Sequence, residues 1–171
     1  MASETFSVLV ENRFGVLARV AGLFCGRGYN IDSLTVSPTQ DTQYSRMTIV
    51  THGDAVILEQ IEKQLNKLIE VVRVTRLTAG AFVVRELELL KLRTEDESAR
   101  RELMQLCSSY GAHVIDVQEK SLVIQLTDLP EKIDEFMTLV RSFGIVELAR
   151  TGSVALSRAD TADAPPPPLR K

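Results

Sequence analysis

The chain has 171 residues, of which 44% are hydrophobic and 25% charged, and a net charge of −3. This is the balance of a globular chain with room for one ordinary domain or two small ones. Basic residues are interspersed with acidic ones and aromatics make up only 5%, with no Trp. That excludes the basic patch and stacking platforms of a nucleic-acid binder, and no apolar run approaches the ~18 residues of a membrane span.

Phe6–Glu11 is short, apolar and rich in β-branched residues, and reads as a strand. Asn12-Arg-Phe-Gly15 is a turn, after which Leu17, Val20, Ala21 and Phe24 follow helical spacing. Gly26 and Gly28 end that helix. Ile31–Val36 and Ser45–Thr51 read as strands joined by a turn at Pro38–Asp41, with Met47 and Ile49 sharing a face. Asp54 caps a second helix striped by Leu58, Ile61, Leu65 and Leu68, and Val71–Leu77 is a fourth strand. The order is β-α-β-β-α-β.

The same order begins again after Gly80. Glu86-Leu-Glu-Leu89 alternates charged and apolar residues, the pattern of a half-exposed strand with its carboxylates outward. Glu95-Asp-Glu97 caps a helix striped by Leu103, Leu106, Cys107 and Tyr110 and ended by Gly111. His113–Val117 and Leu122–Leu126 are strands. Pro130 opens a helix carrying Ile133, Phe136, Met137 and Val140 inward, and Ile145–Ala149, extended toward Leu156, is the last strand.

The fold class is therefore α+β, with two ferredoxin-like βαββαβ units over residues 4–78 and 81–157 and a disordered Pro-rich tail over 158–171. Each unit is an antiparallel sheet with both helices on one face and an exposed edge strand. Pairing such edges between protomers would hide both, so a homodimer is expected. Cys25 and Cys107 sit within apolar helical patterns and read as small buried hydrophobes of a reducing, cytoplasmic compartment. The first residues carry no basic stretch leading an apolar one, so no signal peptide is expected.

Catalytic chemistry is not legible. His52 and His113 fall at the end and start of strands in different units, with no ligand at metal-binding spacing, and read as ordinary surface histidines. There is no nucleophile elbow, paired-carboxylate motif or phosphate-binding loop, and Gly22–Gly28 closes a helix where a dinucleotide fingerprint must open one. The first strand-to-helix junction is different. Amides at a helix start can take a carboxylate, and Gly15 has no side chain to screen them. Asn12 can donate to a carboxylate or accept from an ammonium, while Phe14, Val16 and Leu17 add apolar surface. Together these describe a site for a free apolar amino acid. Asn30 and Ile31, at the entry to the second strand, would close it from a partner chain. The competing explanation is a simple cap at Asn12 and a turn at Gly15.

Val8–Asn12, Gly15–Val20, Gly22–Phe24, Arg27–Ile31, Ser33–Val36, Ser45–Thr48 and Leu58–Leu65 resemble the N-terminal ACT domain of the acetolactate synthase (acetohydroxyacid synthase) small-subunit family. Ile115-Asp116 and Ile145–Glu147 with Arg150–Gly152 resemble its C-terminal domain. The resemblance implies an ACT-type homodimer with effector-binding residues Asn12, Gly15, Val16, Leu17, Asn30 and Ile31. Its effector would be valine or another branched-chain amino acid. It also implies a large catalytic subunit carrying thiamine diphosphate, Mg²⁺ and FAD, which the small subunit activates and makes subject to feedback inhibition. The C-terminal unit would share in that contact. No catalytic or metal-binding residue is expected in this chain. The alternative is a free-standing ACT-domain sensor without an enzyme partner.

Overall fold

A computed structural model describes residues 2–77 and 80–158. The expected Pro-rich tail lies, apart from Arg158, outside the described residues. The chain divides into two compact units, one of residues up to Val83 together with the segment from Ser153, the other of Val84–Gly152.

In the first unit the elements are β1 (Ala2–Glu11), α1 (Val16–Gly26), β2 (Ser33–Pro38), β3 (Tyr44–Gly53), α2 (Ala55–Leu65) and β4 (Val71–Leu77). The sheet order is β2-β3-β1-β4, all neighbours antiparallel. Register places Phe6 against Ile49 and Val8 against Met47, so alternate residues of both strands share one face. Onto that face pack Val16, Val20 and Phe24 of α1 and Leu58, Ile61 and Leu65 of α2, all buried. Each such side chain contributes about 1.5–3 kcal/mol on burial, which is why two eleven-residue helices, marginal alone, are held here. Asp54 caps α2 as expected, its carboxylate accepting from the Ile57 N–H at 2.8 Å.

The inward stripe of α1 steps by four residues from Val16. That leaves Leu17 44% exposed, and Cys25 is exposed too, correcting the expectation that Cys25 is buried. Cys107 is buried, and burial pushes its thiol up to about 11.

The second unit holds most of β5 (Phe82–Arg93), then α3 (Glu97–Tyr110), β6 (His113–Val117), β7 (Ser121–Asp128), α4 (Pro130–Val140) and β8 (Ile145–Arg150), with strand order β6-β7-β5-β8. Asp96 caps α3 through the Ala99 N–H at 2.8 Å, and Gly111 ends it at φ +67°. Leu90, Leu92, Leu122, Ile124, Leu103, Ile133, Phe136 and Val140 form its core. Both units thus have the βαββαβ order read from the sequence. Gly152, at φ +79°, separates β8 from β9 (Val154–Ser157), so the long last strand is two. The returning segment rejoins the first unit, where the Ser153 N–H donates to Ser33 Oγ and the Thr35 hydroxyl donates to the Ser153 carbonyl.

Along β5 the alternation has the expected period but the opposite phase. Glu86 and Glu88 are buried and Leu87 and Leu89 only partly so, because Leu90 and Leu92 further along set the inward parity. Arg150 lies opposite Glu88 in register. Its guanidinium donates to Glu86 at 2.5 Å and Asp134 at 2.6 Å, and reaches the Pro130 carbonyl at 3.4 Å, tying β5 and β8 to the start of α4. Neither carboxylate oxygen of Glu88 has a hydrogen-bond partner. Burial therefore raises its pKa above the ordinary 4.5, with Arg150 opposing and Asp134 and Glu86 adding to the rise.

A raised carboxyl pKa makes the protonated form the native partner. Its stabilisation is complete below about pH 4.5 and is lost as pH climbs through the folded value. Glu88→Gln, a neutral isostere, should flatten the pH dependence of urea stability above pH 4.5 relative to wild type; identical slopes would refute the assignment.

Candidate functional site

Two polar loops stand out, and they lie at opposite ends of the first sheet. At one end β1 passes into α1. The Glu11 N–H donates to the Glu70 carbonyl at 2.9 Å and the Asn12 N–H to the Gln43 carbonyl at 2.7 Å, fixing the exit of β1. Asn12 Nδ2 donates to the Thr42 carbonyl at 2.9 Å. Its amide nitrogen thus engages the main chain, leaving Oδ1 as an acceptor. Gly15 then turns the chain at φ +83° and serves as the N-terminal cap residue of α1 without any side-chain cap. That backbone region costs a residue with a Cβ about 1–2 kcal/mol.

The cap leaves donors unused. The Val16 N–H makes a long 3.4 Å bond to the Arg13 carbonyl. Among the described residues, no acceptor meets the N–H of Gly15, Leu17 or Ala18. No acidic residue occupies the first turn of α1, so nothing of the chain's own answers the positive end of the helix. A Cβ built on Gly15 meets nothing within 4 Å, so the space beside the turn itself is open. Phe14 is fully exposed and Leu17 44% exposed beside them. Val16, by contrast, belongs to the core, so its side chain is unavailable to a ligand and only its backbone lies at the site. Arg13 pairs with Glu11 at 3.1 Å, and Arg19 with Glu70, in the same region.

At the other end the chain enters β2. The Asn30 carbonyl accepts from the buried Thr51 hydroxyl at 2.6 Å, and the Asp32 N–H donates to the Val50 carbonyl at 2.9 Å. Asn30 Nδ2 donates to Asp32 Oδ1 at 2.6 Å, and His52 Nδ1 lies 2.9 and 2.8 Å from the two Asp32 oxygens. Ile31 is half-buried against the core beside Tyr29 and Leu34.

Asn12 adjoins Gln43 and Asn30 adjoins Thr51. The separation along the strand is about 26 Å at roughly 3.3 Å per residue. One protomer therefore brings Asn12, Gly15, Val16 and Leu17 together, but holds Asn30 and Ile31 apart from them. Sequence reasoning did not single out Asp32; His52 is exposed, as read, and pairs with Asp32. The one signal that unites them is cross-strand register, which a linear pattern does not display. Among the described residues, no group of three or more His, Cys, Asp or Glu side chains is placed to hold a metal, and no helix is long and apolar enough to cross a membrane.

Residues 6–73 match the model described as the AHAS small subunit-like ACT domain, and residues 85–159 match that of the small subunit of acetolactate synthase. The acetolactate synthase isozyme 3 small subunits of Salmonella typhimurium and Escherichia coli are each 48% identical over 155 residues, covering 90% of this chain and 94% of theirs. The crystal structure of the acetolactate synthase small subunit from Thermotoga maritima superposes with a TM-score of 0.87 at 37% identity, over 94% of this chain and 99% of that one.

Gly15→Ala should lower urea stability by about 1–2 kcal/mol through backbone strain alone, because its methyl group has room. A loss under about 0.5 kcal/mol, the scale of an ordinary surface change, would show that the turn is not strained by a Cβ.

Proposed function

This chain belongs to the acetolactate synthase small-subunit family, and from that premise we propose that it binds a branched-chain amino acid, valine first among them, and regulates a separate catalytic subunit. The observation that carries the proposal is the unclaimed set of amides at Gly15, Leu17 and Ala18, facing open space beside Phe14 and Leu17. A carboxylate fits the amides, since hydrogen bonds to a charged group contribute about 1.5–3 kcal/mol each. An aliphatic side chain covering the exposed apolar surface adds about 1.5–3 kcal/mol. Asn12 Oδ1, freed as an acceptor by the bond from Nδ2 to Thr42, suits an ammonium.

The second half of the site is proposed to come from a partner protomer. β2 is an edge strand, and it runs from the Asn30 end of the sheet to the Asn12 end. Antiparallel pairing of β2 with β2 of a second copy would bring each Asn30–Ile31 loop to the end where the other chain carries Asn12 and Gly15. Hiding two edges supplies a structural reason for the homodimer. A ligand that bridges two chains also has a physical grip on their relative placement, and coupling of ~1–3 kcal/mol is enough for regulation.

In this reading the large subunit carries thiamine diphosphate, Mg²⁺ and FAD and condenses pyruvate with pyruvate or 2-ketobutyrate. The small subunit activates it and confers inhibition by the end product, both in the cytoplasm. The C-terminal unit shares the contact with the large subunit.

Gly15→Asp puts a carboxylate in front of the open amides. In the reconstituted enzyme, valine inhibition should vanish while activation of the large subunit survives; a variant still fully inhibited would disprove the placement of the site. Asn12→Ala should weaken valine about tenfold by titration calorimetry, the loss of one charge-assisted hydrogen bond. An affinity equal to wild type would remove Asn12 from the site.

A further inference from the structure

Asn30 is held in a way that decides which of its side-chain atoms can meet a ligand. Its main chain is anchored, the carbonyl accepting from Thr51 Oγ1 at 2.6 Å, and Thr51 is fully buried. Its side chain is oriented by Asp32. A carboxylate can only accept, so the Asn30 atom 2.6 Å from Asp32 Oδ1 is the amide nitrogen. His52 orients the carboxylate in turn, donating from Nδ1 at 2.8 and 2.9 Å. Among the described residues, nothing donates to Asn30 Oδ1. The carboxamide thus has its donor side engaged by Asp32 and its acceptor side without a donor, beside a negative charge.

We propose that Asp32, steadied by His52, is a positioning residue that presents Asn30 Oδ1 as an acceptor for the effector's ammonium, making the site selective for an amino acid over the 2-oxo acid of the same carbon skeleton. The inference rests on the amino-acid reading above and deepens it by naming the atom of Asn30 that meets the ligand, its main-chain carbonyl being already engaged by Thr51. A 2-oxo acid keeps the carboxylate and the aliphatic group and differs only where the ammonium stands. It offers an oxygen lone pair to an oxygen lone pair, beside the Asp32 carboxylate. A site that bonds a donor rejects the analogue lacking it more strongly than an apolar pocket rejects a missing methylene.

Asp32→Asn is the direct probe, because an amide at 32 can face Asn30 with either its oxygen or its nitrogen and no longer dictates the orientation. Titration calorimetry on the full-length protein would compare L-valine with 3-methyl-2-oxobutanoate. Wild type should prefer valine by at least tenfold. In Asp32→Asn, valine should weaken about tenfold while the oxo acid holds or tightens, so the preference narrows. His52→Ala should move the ratio in the same direction by a smaller factor, and carries the test should Asp32→Asn fold poorly. General damage to the fold weakens both ligands alike and leaves the ratio fixed. A wild-type preference that both variants keep overturns the positioning role while leaving the amino-acid site standing. Failure of the wild-type protein to bind L-valine, L-leucine or L-isoleucine overturns the site itself.

Discussion

The left-handed turn at Gly15 is the constraint on which the proposed effector site depends. It swings the chain from β1 into α1 so abruptly that no side chain folds back to cap the helix, and three amides are left without acceptors. Most helix starts are closed by Ser, Thr, Asp or Asn. α2 and α3 follow that rule through Asp54 and Asp96. The same sequence caps two helices with carboxylates, starts α4 at Pro130 without a side-chain cap, and leaves the α1 amides open where the carboxylate of a ligand is proposed to fit.

The two units share an element order and differ in what fills their sheets. In the first, the inward face of β1 and β3 is almost wholly apolar where the helices cover it. In the second, the inward face of β5 runs from Leu92 and Leu90 to Glu88 and Glu86, where an arginine from β8 bridges two carboxylates. Buried charge of this kind adds little net stability, and breaking it is costly because a partner is left uncompensated. It fixes the register of β8 and the seat of α4 instead. The third carboxylate, Glu88, has no donor, and its burial disfavours the charged form and raises its pKa.

Periodicity revealed the elements well and phase poorly. Helices α2 to α4 and their stripes were visible because Leu58, Ile61 and Leu65, or Ile133, Phe136 and Val140, recur at steps that only a helix places on one face. In α1 Val20 and Phe24 face inward as read, and Val16 rather than Leu17 completes the stripe. Val16, Leu17, Val20 and Ala21 are all apolar, so two adjacent faces are equally plausible until the sheet chooses one. Glu86 and Glu88 were assigned outward for a related reason: alternation states that neighbours face opposite ways, not which way is in. Asn12 and Gly15 were legible as candidates because a helix start is a local feature. Asp32 and His52 were not, because twenty residues separate them and only the register of β2 against β3 makes them neighbours.

The sequence by itself determined what depends on near neighbours: strand and helix types, caps at Asp54 and Asp96, the glycine turns, and membership of the family, whose continuous motifs lie in residues 6–73. Tertiary structure decided whatever needs two distant segments at once. It buried Val16 and exposed Leu17, turned the β5 carboxylates inward to meet Arg150, and joined Asn30, Asp32 and His52 into one hydrogen-bonded group. It also set Asn12 and Asn30 at opposite ends of a sheet. The physical reason is that local conformation follows from each residue's own backbone and side-chain preferences, while facing and partnership follow from which burial lowers the free energy of the whole.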